Sequence, residues 1–202
     1  MWPAMRKGKL IAVEGLDGSG KTTQACLLVE ALRKEGFKAY YTCEPTQWRV
    51  GDLIRLHVAK AKRRAPVYEA LLFAADRYEH LAREIRPRLR KGYIVVSDRY
   101  VYSSLAYQGA SGVSLQWLRN INFFAPKPDL TLLLDLPPEE ALKRKKGKLK
   151  ATFESLTFQR KVRKMYLRLA EEEGFLVFDG LKPVETLHRE IFKAVSERLS
   201  SL

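Results

Sequence analysis

Five short apolar runs punctuate this 202-residue chain: KLIAV (9–13), KAYYTC (38–43), YIVVS (93–97), DLTLLLD (129–135) and GFLVF (174–178). Four of them are almost continuously apolar rather than alternating, which is the pattern of strands covered on both faces. Helical patterns fill the intervals. Residues 21–35 place Ala25, Leu28, Val29 and Leu32 on one stripe, with Gly36 as a stop. Residues 69–86 place Leu71, Ala74, Ala75, Tyr78, Leu81, Ala82 and Ile85 on another, ended by Pro87. Residues 155–173 repeat the pattern with Phe158, Val162, Met165, Tyr166 and Leu169, and a last helix from about 183 uses Val184, Leu187, Ile191 and Val195. Strands alternating with helices build βαβ units. The expected fold is α/β, a five-stranded parallel sheet flanked by helices, in a single domain over 1–202.

Composition narrows the class. A hydrophobic content of 46% with 30% charged residues excludes wholesale disorder. No run of about 18 apolar residues exists, and MWPAMRKGK at the N-terminus lacks a signal peptide's apolar stretch. A cytoplasmic chain with no membrane association is expected. Cys26 and Cys43 offer neither metal spacing nor a disulfide framework. The net charge of +14 suits nucleic acid, an acidic membrane surface or small phosphorylated substrates, and by itself selects none of them.

The most specific chemistry lies directly after the first run, in EGLDGSGKTTQ (14–24). Gly15, Leu16, Asp17, Gly18, Ser19, Gly20, Lys21 and Thr22 satisfy G-x-x-x-x-G-K-[ST], with a strand before and an amphipathic helix after. The glycines let backbone amides wrap a phosphate, and the helix presents its positive end. Lys21 would reach the β- and γ-phosphates of ATP, while the Thr22 hydroxyl would ligate Mg²⁺. Asp98, which closes the run YIVVS, is the expected partner of Thr22 through the metal or its waters. Arg99 would then lie between the phosphates and offset charge in the transition state. In EALLFAADR (69–77), Phe73 and Arg77 stand four apart and so share a helix face, off the Leu71/Ala74/Tyr78 stripe. On physics alone that pair suits either a flat base, stacked by one and read by the other, or a cation–π pair on a packing face.

Together these residues resemble the thymidylate kinase family, within the nucleoside monophosphate kinases of the P-loop class, from about residue 8 to the final helix. EGLDGSGKTTQ is similar to that family's phosphate loop, including Asp17 and the trailing Thr22-Thr23. Asp98-Arg99-Tyr100, followed by Ser103 and Ala106-Tyr107-Gln108-Gly109, resembles its DR[YH] motif with the S-x-x-AYQ extension. The resemblance implies transfer of the γ-phosphoryl group of ATP to dTMP, giving ADP and dTDP on the way to dTTP, with Mg²⁺ as cofactor. Glu44-Pro45, with Arg55 eleven residues beyond Glu44, looks like the segment that grips the dTMP phosphate. Cys43 replaces the family's usual arginine there and no Gly-Gly follows Pro45, so Arg49 is a second candidate for that phosphate. The resemblance further implies that Phe73 stacks on thymine, Arg77 meets its carbonyl edge, and Ser103 and Gln108 lie at the base. Tyr107 would stand near the sugar, and Asp17 would meet the deoxyribose 3′-hydroxyl or order the acceptor phosphate.

A mobile basic lid is expected at about 143–153, where Lys143-Arg144-Lys145-Lys146 leads into a charged run. In the family such a lid folds over ATP and adds positive charge to the transferring group. Gly18 stands where some members carry a phosphate-loop arginine, so the duty falls on the lid: Arg144, which also aligns with an adenine-packing residue, or Lys146, Lys148 or Lys150. Asp179-Gly180-Leu181-Lys182-Pro183 matches the family's adenine-side loop. A homodimer is implied, with the helix around Leu115–Phe124 (Trp117, Phe123, Phe124) as one candidate face. Two other readings share parts of this pattern. A deoxynucleoside kinase would act on thymidine and need no Arg55. A nucleic-acid-binding ATPase would use the basic charge, but no recognition module or basic–aromatic stripe is present, so nucleic acid is not an expected partner.

Overall fold

The structure, a computed structural model, describes residues 8–60, 65–145 and 156–200. Five strands, β1 (Lys9–Gly15), β2 (Ala39–Cys43), β3 (Ile94–Asp98), β4 (Leu130–Asp135) and β5 (Leu176–Asp179), form one parallel sheet in the order β2-β3-β1-β4-β5. Each falls on one of the five apolar runs. Strands β1, β3 and β4 occupy the middle and are buried almost throughout, whereas the edge strand β5 alternates between half-buried and exposed.

Alternation along each central strand feeds two separate helix layers. Ile11, Val13, Val96, Leu132 and Leu134 face α1 (Lys21–Lys34) and α9 (Val184–Ser200), which contribute Ala25, Leu28, Leu32, Leu187, Ile191 and Val195. The opposite side carries Leu133 against α5 (Val101–Ala110) and α8 (Leu156–Glu173), and Leu10, Ala12 and Val95 against Leu81 and Ile85. The first layer uses the stripes expected from sequence, except that Val184, the first residue of α9, is exposed.

The region 66–90 departs from its expected form in two ways. Pro87 does not end the helix. Helix α3 (Pro66–His80) runs into a π turn (Leu81–Ile85) and on through α4 (Arg86–Arg90). A proline ring inside an α-helix clashes with the carbonyl four residues back and lacks a donor. Here the Arg86 N–H bonds Leu81 O, five residues back, and the widened turn accommodates the ring that follows. Secondly, the expected core stripe splits. Ala74, Leu81 and Ile85 are buried, but Leu71 and Tyr78 are exposed along with Ala75 and Ala82. In place of the exposed four, Ala70, Asp76, Arg77 and His80 point inward.

Helix α2 (Arg49–Lys60), for which the sequence reading has no element, packs on α3. Of its apolar side chains only Ile54 is buried, while Leu53, Leu56 and Val58 are exposed, so no inward stripe announced it. Helices α6 (Leu115–Ile121) and α7 (Pro138–Lys145) complete the chain among the described residues. No helix of the described residues is long and apolar enough to cross a membrane.

Candidate active site

The carboxyl ends of β1, β2 and β3 lie side by side, because Val13 pairs with Asp98 and Asp98 with Cys43. Later strands turn to the other side of β1, which makes this crevice the usual ligand position in an open parallel sheet. Residues 15–20 curl over it. Gly15, Gly18 and Gly20 have φ of 144°, 87° and 92°, values that L side chains resist. A Cβ on Gly15 would fall 2.6 Å from Leu134 O, and one on Gly18 would fall 2.4 Å from Ala141 O. The loop is thus pressed against β4 and against α7, the helix that leads into the expected lid. Gly20 caps α1, whose first-turn amides point into the loop.

Inside this curl the side chains take defined places. Lys21 is buried, and its Nζ donates to Leu16 O at 2.7 Å. Burial and the neighbouring Arg99 charge lower its ammonium to about 8, against the pull of Asp17 and Asp98. An anion delivered to that nitrogen reverses the shift. Thr22 donates from Oγ1 to Asp98 Oδ2 at 2.5 Å, and the other oxygen, Asp98 Oδ1, is buried without a partner among the described residues. Ser19 Oγ is likewise unpartnered, while Thr23 is exposed on the first turn of α1. No cluster of three metal-ligating His, Cys, Asp or Glu side chains occurs among the described residues. A hydroxyl beside a carboxylate with an unspent oxygen is nevertheless the sparse, all-oxygen set that Mg²⁺ uses when phosphates and waters complete its shell.

Arg99 is held in a left-handed conformation with φ 73°, the one non-glycine residue so placed among the described residues. Such a backbone costs about 1–2 kcal/mol and persists only where its surroundings over-determine it. They do so here. The Arg99 N–H donates to Val13 O at 3.0 Å, and Ser97 Oγ donates to Arg99 O at 2.7 Å. Glu14, buried on β1, accepts from the Tyr100 and Ser103 amides and from the hydroxyls of Ser103 and Tyr166. It thereby caps the first turn of α5 and fixes the turn that carries Arg99. Burial pushes the Glu14 carboxyl up, against those four hydrogen bonds. The Arg99 guanidinium reaches Asp17 in an ion pair, donates to Ser103 Oγ at 3.0 Å and lies 5.3 Å from the centre of the Tyr107 ring. Tyr107 OH in turn accepts from the Asp17 amide. The structure therefore brings Asp17, Lys21, Thr22, Asp98, Arg99, Ser103 and Tyr107 into one constellation.

Arg77 is the centre of a second, buried cluster. Arg77 is among the largest fully buried side chains. Its Nε and Nη2 donate to Glu44 Oε2 at 3.0 and 2.7 Å, Nη2 also meets Tyr100 O and Ser104 Oγ, and Nη1 donates to Asn122 Oδ1 at 2.6 Å. Its aromatic neighbour is Tyr100, at 5.6 Å, and not Phe73. A guanidinium has five N–H groups, so one Nη1 hydrogen is left without an acceptor among the described residues. Phe73, one turn earlier, is half-buried, and Gln108 is buried with Oε1 unpartnered. Arg55 is half-exposed and donates to Pro45 O and Asp52, whereas Arg49 is exposed. Lys143 and Arg144 are exposed on the last turn of α7. Lys146, Lys148, Lys150 and the rest of the expected lid lie outside the described residues.

The sequence assigns no site role to several members of these clusters: Glu14, Thr42, Thr46, Asp76, His80, Glu84, Asn122 and Tyr166, the last of which it marks only as part of the stripe over 155–173. Glu44 was read only as part of a motif. A signal was present for two of them, since Glu14 is a charge inside an otherwise apolar strand and His80 stands three residues after Arg77. Asp76 accepts from Thr46 N and Thr46 Oγ1 at 2.9 and 2.5 Å, tying α3 to the loop after β2.

A family model described as thymidylate kinase matches residues 13–191. A probable thymidylate kinase of Pyrococcus abyssi is 47% identical over 204 residues, covering 97% of this chain and 100% of the relative. A probable thymidylate kinase of Pyrobaculum calidifontis is 43% identical, covering 95% and 98% respectively. A thymidylate kinase of the bacterium Caldanaerobacter subterraneus subsp. tengcongensis is 41% identical, covering 96% and 97%.

The buried charges make stability depend on pH. Burial opposes protonation of His80, but hydrogen bonds to Glu44 and Glu84 outweigh it and carry the ring from 6.5 to about 9. Burial would raise Glu84, yet hydrogen bonds from His80, Thr42 and Tyr40 lower it from 4.5 to about 2. A raised histidine stabilises fully below 6.5 and loses that contribution as pH climbs through about 9. A lowered carboxylate stabilises above 4.5 and loses it as pH falls through about 2. The margin by which the parent's unfolding midpoint exceeds that of His80→Gln, in which Glu14 and Lys21 titrate as before, should therefore be greatest between pH 4.5 and 6.5. That margin should shrink by at least about 2 °C by pH 9. A margin that stays level or widens over that interval contradicts the assignment.

Proposed function

We propose a division of labour for this chain, which belongs to the thymidylate kinase family and phosphorylates dTMP to dTDP with ATP as donor. The amides of Gly15, Leu16, Asp17, Gly18, Ser19 and Gly20 hold the ATP phosphates, with Lys21 on the β- and γ-groups and Thr23 at the helix entry. Thr22 and Asp98 hold Mg²⁺, a reading supported by the unspent Asp98 Oδ1 beside the Thr22 hydroxyl. When bound, the metal supplies charge neutralisation at the phosphates. Arg99, kept in place by Asp17 and Ser103, and Arg55, beside Pro45, orient the acceptor phosphate. The attacking oxygen is already ionised near neutral pH, so positioning and charge suffice and no strong general base is required. Tyr107 borders the sugar, and Arg144, on the last turn of α7, whose Ala141 abuts Gly18, serves the ATP side.

The observation that carries the acceptor assignment is the state of Arg77. Four of its five N–H groups are taken by the protein, and the single Nη1 hydrogen left over fits one carbonyl acceptor. Thymine offers such a carbonyl. Cytosine presents an amino donor at the same edge, and two facing donors repel. Phe73 supplies the stacking face and Ser103 and Gln108 border the base. A Phe73→Ala variant should raise the KM for dTMP between about 5- and 150-fold, the range for a lost base–aromatic stack, and leave the KM for ATP in place. Unaltered dTMP kinetics would remove the stacking role.

A homodimer is supported by the apolar surface that the single chain leaves open. Val67, Leu71, Ala75, Tyr78 and Ala82 form one exposed stripe along α3 and the π turn, next to exposed Leu53 and Leu56 on α2. Phe124 touches both Tyr78 and Phe123, at 5.2 and 6.0 Å between ring centres, and Phe123 is 86% exposed. A surface this apolar calls for a partner, and a second copy would bury the stripe that the sequence marks as core. Both cysteines are free, which supports a reducing compartment, the cytoplasm. In sedimentation the protein should run at twice the 23.2 kDa chain mass, and Leu71→Glu should run as the single chain. A monomeric parent, or an unaffected variant, counts against this interface.

A further inference from the structure

The guanidinium assigned to the base is not positioned by its own helix alone. It ends a chain of buried charges whose other end is His80. Glu44 Oε2 accepts both Arg77 bonds, and Glu44 Oε1 faces His80 Nδ1 at 3.1 Å. On the far side of the ring, His80 Nε2 lies 3.2 Å from Glu84 Oε2 and 2.6 Å from Thr42 Oγ1. The single Thr42 hydroxyl hydrogen is directed to Glu84 Oε2, so toward His80 that oxygen acts only as an acceptor. Both ring nitrogens therefore face acceptors, and an imidazole satisfies both only when each carries a hydrogen. A neutral ring would turn a lone pair toward a carboxylate whichever tautomer it took, either the buried Glu44 or the half-buried Glu84.

The remaining neighbours close the cluster. The Trp48 ring meets His80 edge-on at 6.1 Å, and Asp76 and Arg77 sit one turn before it on α3. Glu84 also accepts from Tyr40 OH at 3.0 Å, and Tyr40 lies beneath the Arg88 guanidinium at 3.6 Å. With His80 charged, Arg77 and His80 face Glu44 and Glu84; Arg77, His80 and Glu44 are at most 2% exposed and Glu84 20%, while the buried Asp76 is held by Thr46.

We propose that His80, as an imidazolium, is a positioning residue for acceptor recognition: it pins Glu44, Glu44 pins two sides of Arg77, and the last Nη1 hydrogen is thereby aimed at the base. This rests on the reading of Arg77 as the base donor. Deprotonating His80 frees Glu44, loosens the guanidinium and weakens acceptor binding while leaving the donor phosphates untouched. The ring's raised affinity for its proton, up to about 9, agrees with this geometry.

The test compares the parent enzyme with His80→Gln, which fills similar space without a charge. KM values for dTMP and for ATP, and kcat, are measured from pH 6.5 through about 9 and beyond. The thymine ring N–H also ionises in alkali, so the variant, in which only the substrate titrates at this edge, supplies the baseline. At neutral pH the variant should show a KM for dTMP about tenfold higher, as for loss of one charge-assisted bond, with kcat and the KM for ATP within about twofold. The parent's KM for dTMP should climb toward the variant's as pH passes about 9. Equal dTMP values in the two proteins, or equal losses for both substrates, overturn the proposal.

If the variant does not fold, the parent's His80 ring is followed by NMR, identified against His57→Gln and His188→Gln. It should remain an imidazolium at neutral pH and hold its proton more tightly when dTMP binds, but not when ATP binds. A neutral ring, or an equal response to both ligands, overturns it. An Arg77→Lys variant that retains full preference for dTMP over dCMP would instead remove the underlying reading of Arg77.

Discussion

The contact on which this molecule most depends is the buried ion pair between Glu44, at the carboxyl end of β2, and Arg77 of α3. Neither side chain is more than 2% exposed, and the Nη2–Oε2 distance is 2.7 Å. Removing one partner of such a pair leaves a lone buried charge, at a cost of about 3–5 kcal/mol. The same two residues reach outward in four directions. Glu44 N bonds Asp98 O, which fixes β2 against the strand that ends in Asp98, the proposed Mg²⁺ ligand. Arg77 meets Tyr100 O and Ser104, which fixes α3 against the turn that carries Arg99, and Asn122, which reaches the end of α6. The proposed acceptor and donor residues are therefore joined through one carboxylate.

A second constraint governs the turn that carries Arg99. The turn from β3 into α5 must place Arg99 in a backbone region that an arginine avoids, and Glu14 holds it there from the neighbouring strand. A carboxylate in the middle of a sheet is itself costly. Four hydrogen bonds offset that cost. The net charge of +14 also finds a use, because two anionic nucleotides must share one crevice. Lys21, with its lowered proton affinity, is poised to be charged most firmly when those anions arrive.

The strands were legible in the sequence because a both-faces-covered strand has no choice but to be apolar, and all five runs became strands of one parallel sheet. The phosphate loop was legible because its glycines answer to backbone geometry that no other residue satisfies, as the contacts at Gly15 and Gly18 show. Helix α3 was only half legible. Its apolar residues lie on two faces, one packed inside the chain and one left open, and periodicity cannot say which face meets which partner. The inward positions Asp76, Arg77 and His80 are polar, so a hydropathy pattern points them outward. Pro87 was read as a stop because the π turn that tolerates it has no sequence mark. The polar cluster below the base site was illegible for a related reason: Thr42, Glu44, His80 and Glu84 meet only through the register of β2 against α3.

The central claim, that Arg77 keeps one hydrogen for a carbonyl while Arg55 and Arg99 wait for a phosphate, is tested most directly by ADP release from MgATP with dTMP, dUMP, dCMP and thymidine as alternative acceptors. The account predicts strong turnover of dTMP, weaker turnover of dUMP, and a kcat/KM for dCMP at least about a hundredfold lower, with thymidine inert. Turnover of dCMP at a rate comparable to dTMP, or of thymidine in preference to either, would contradict it.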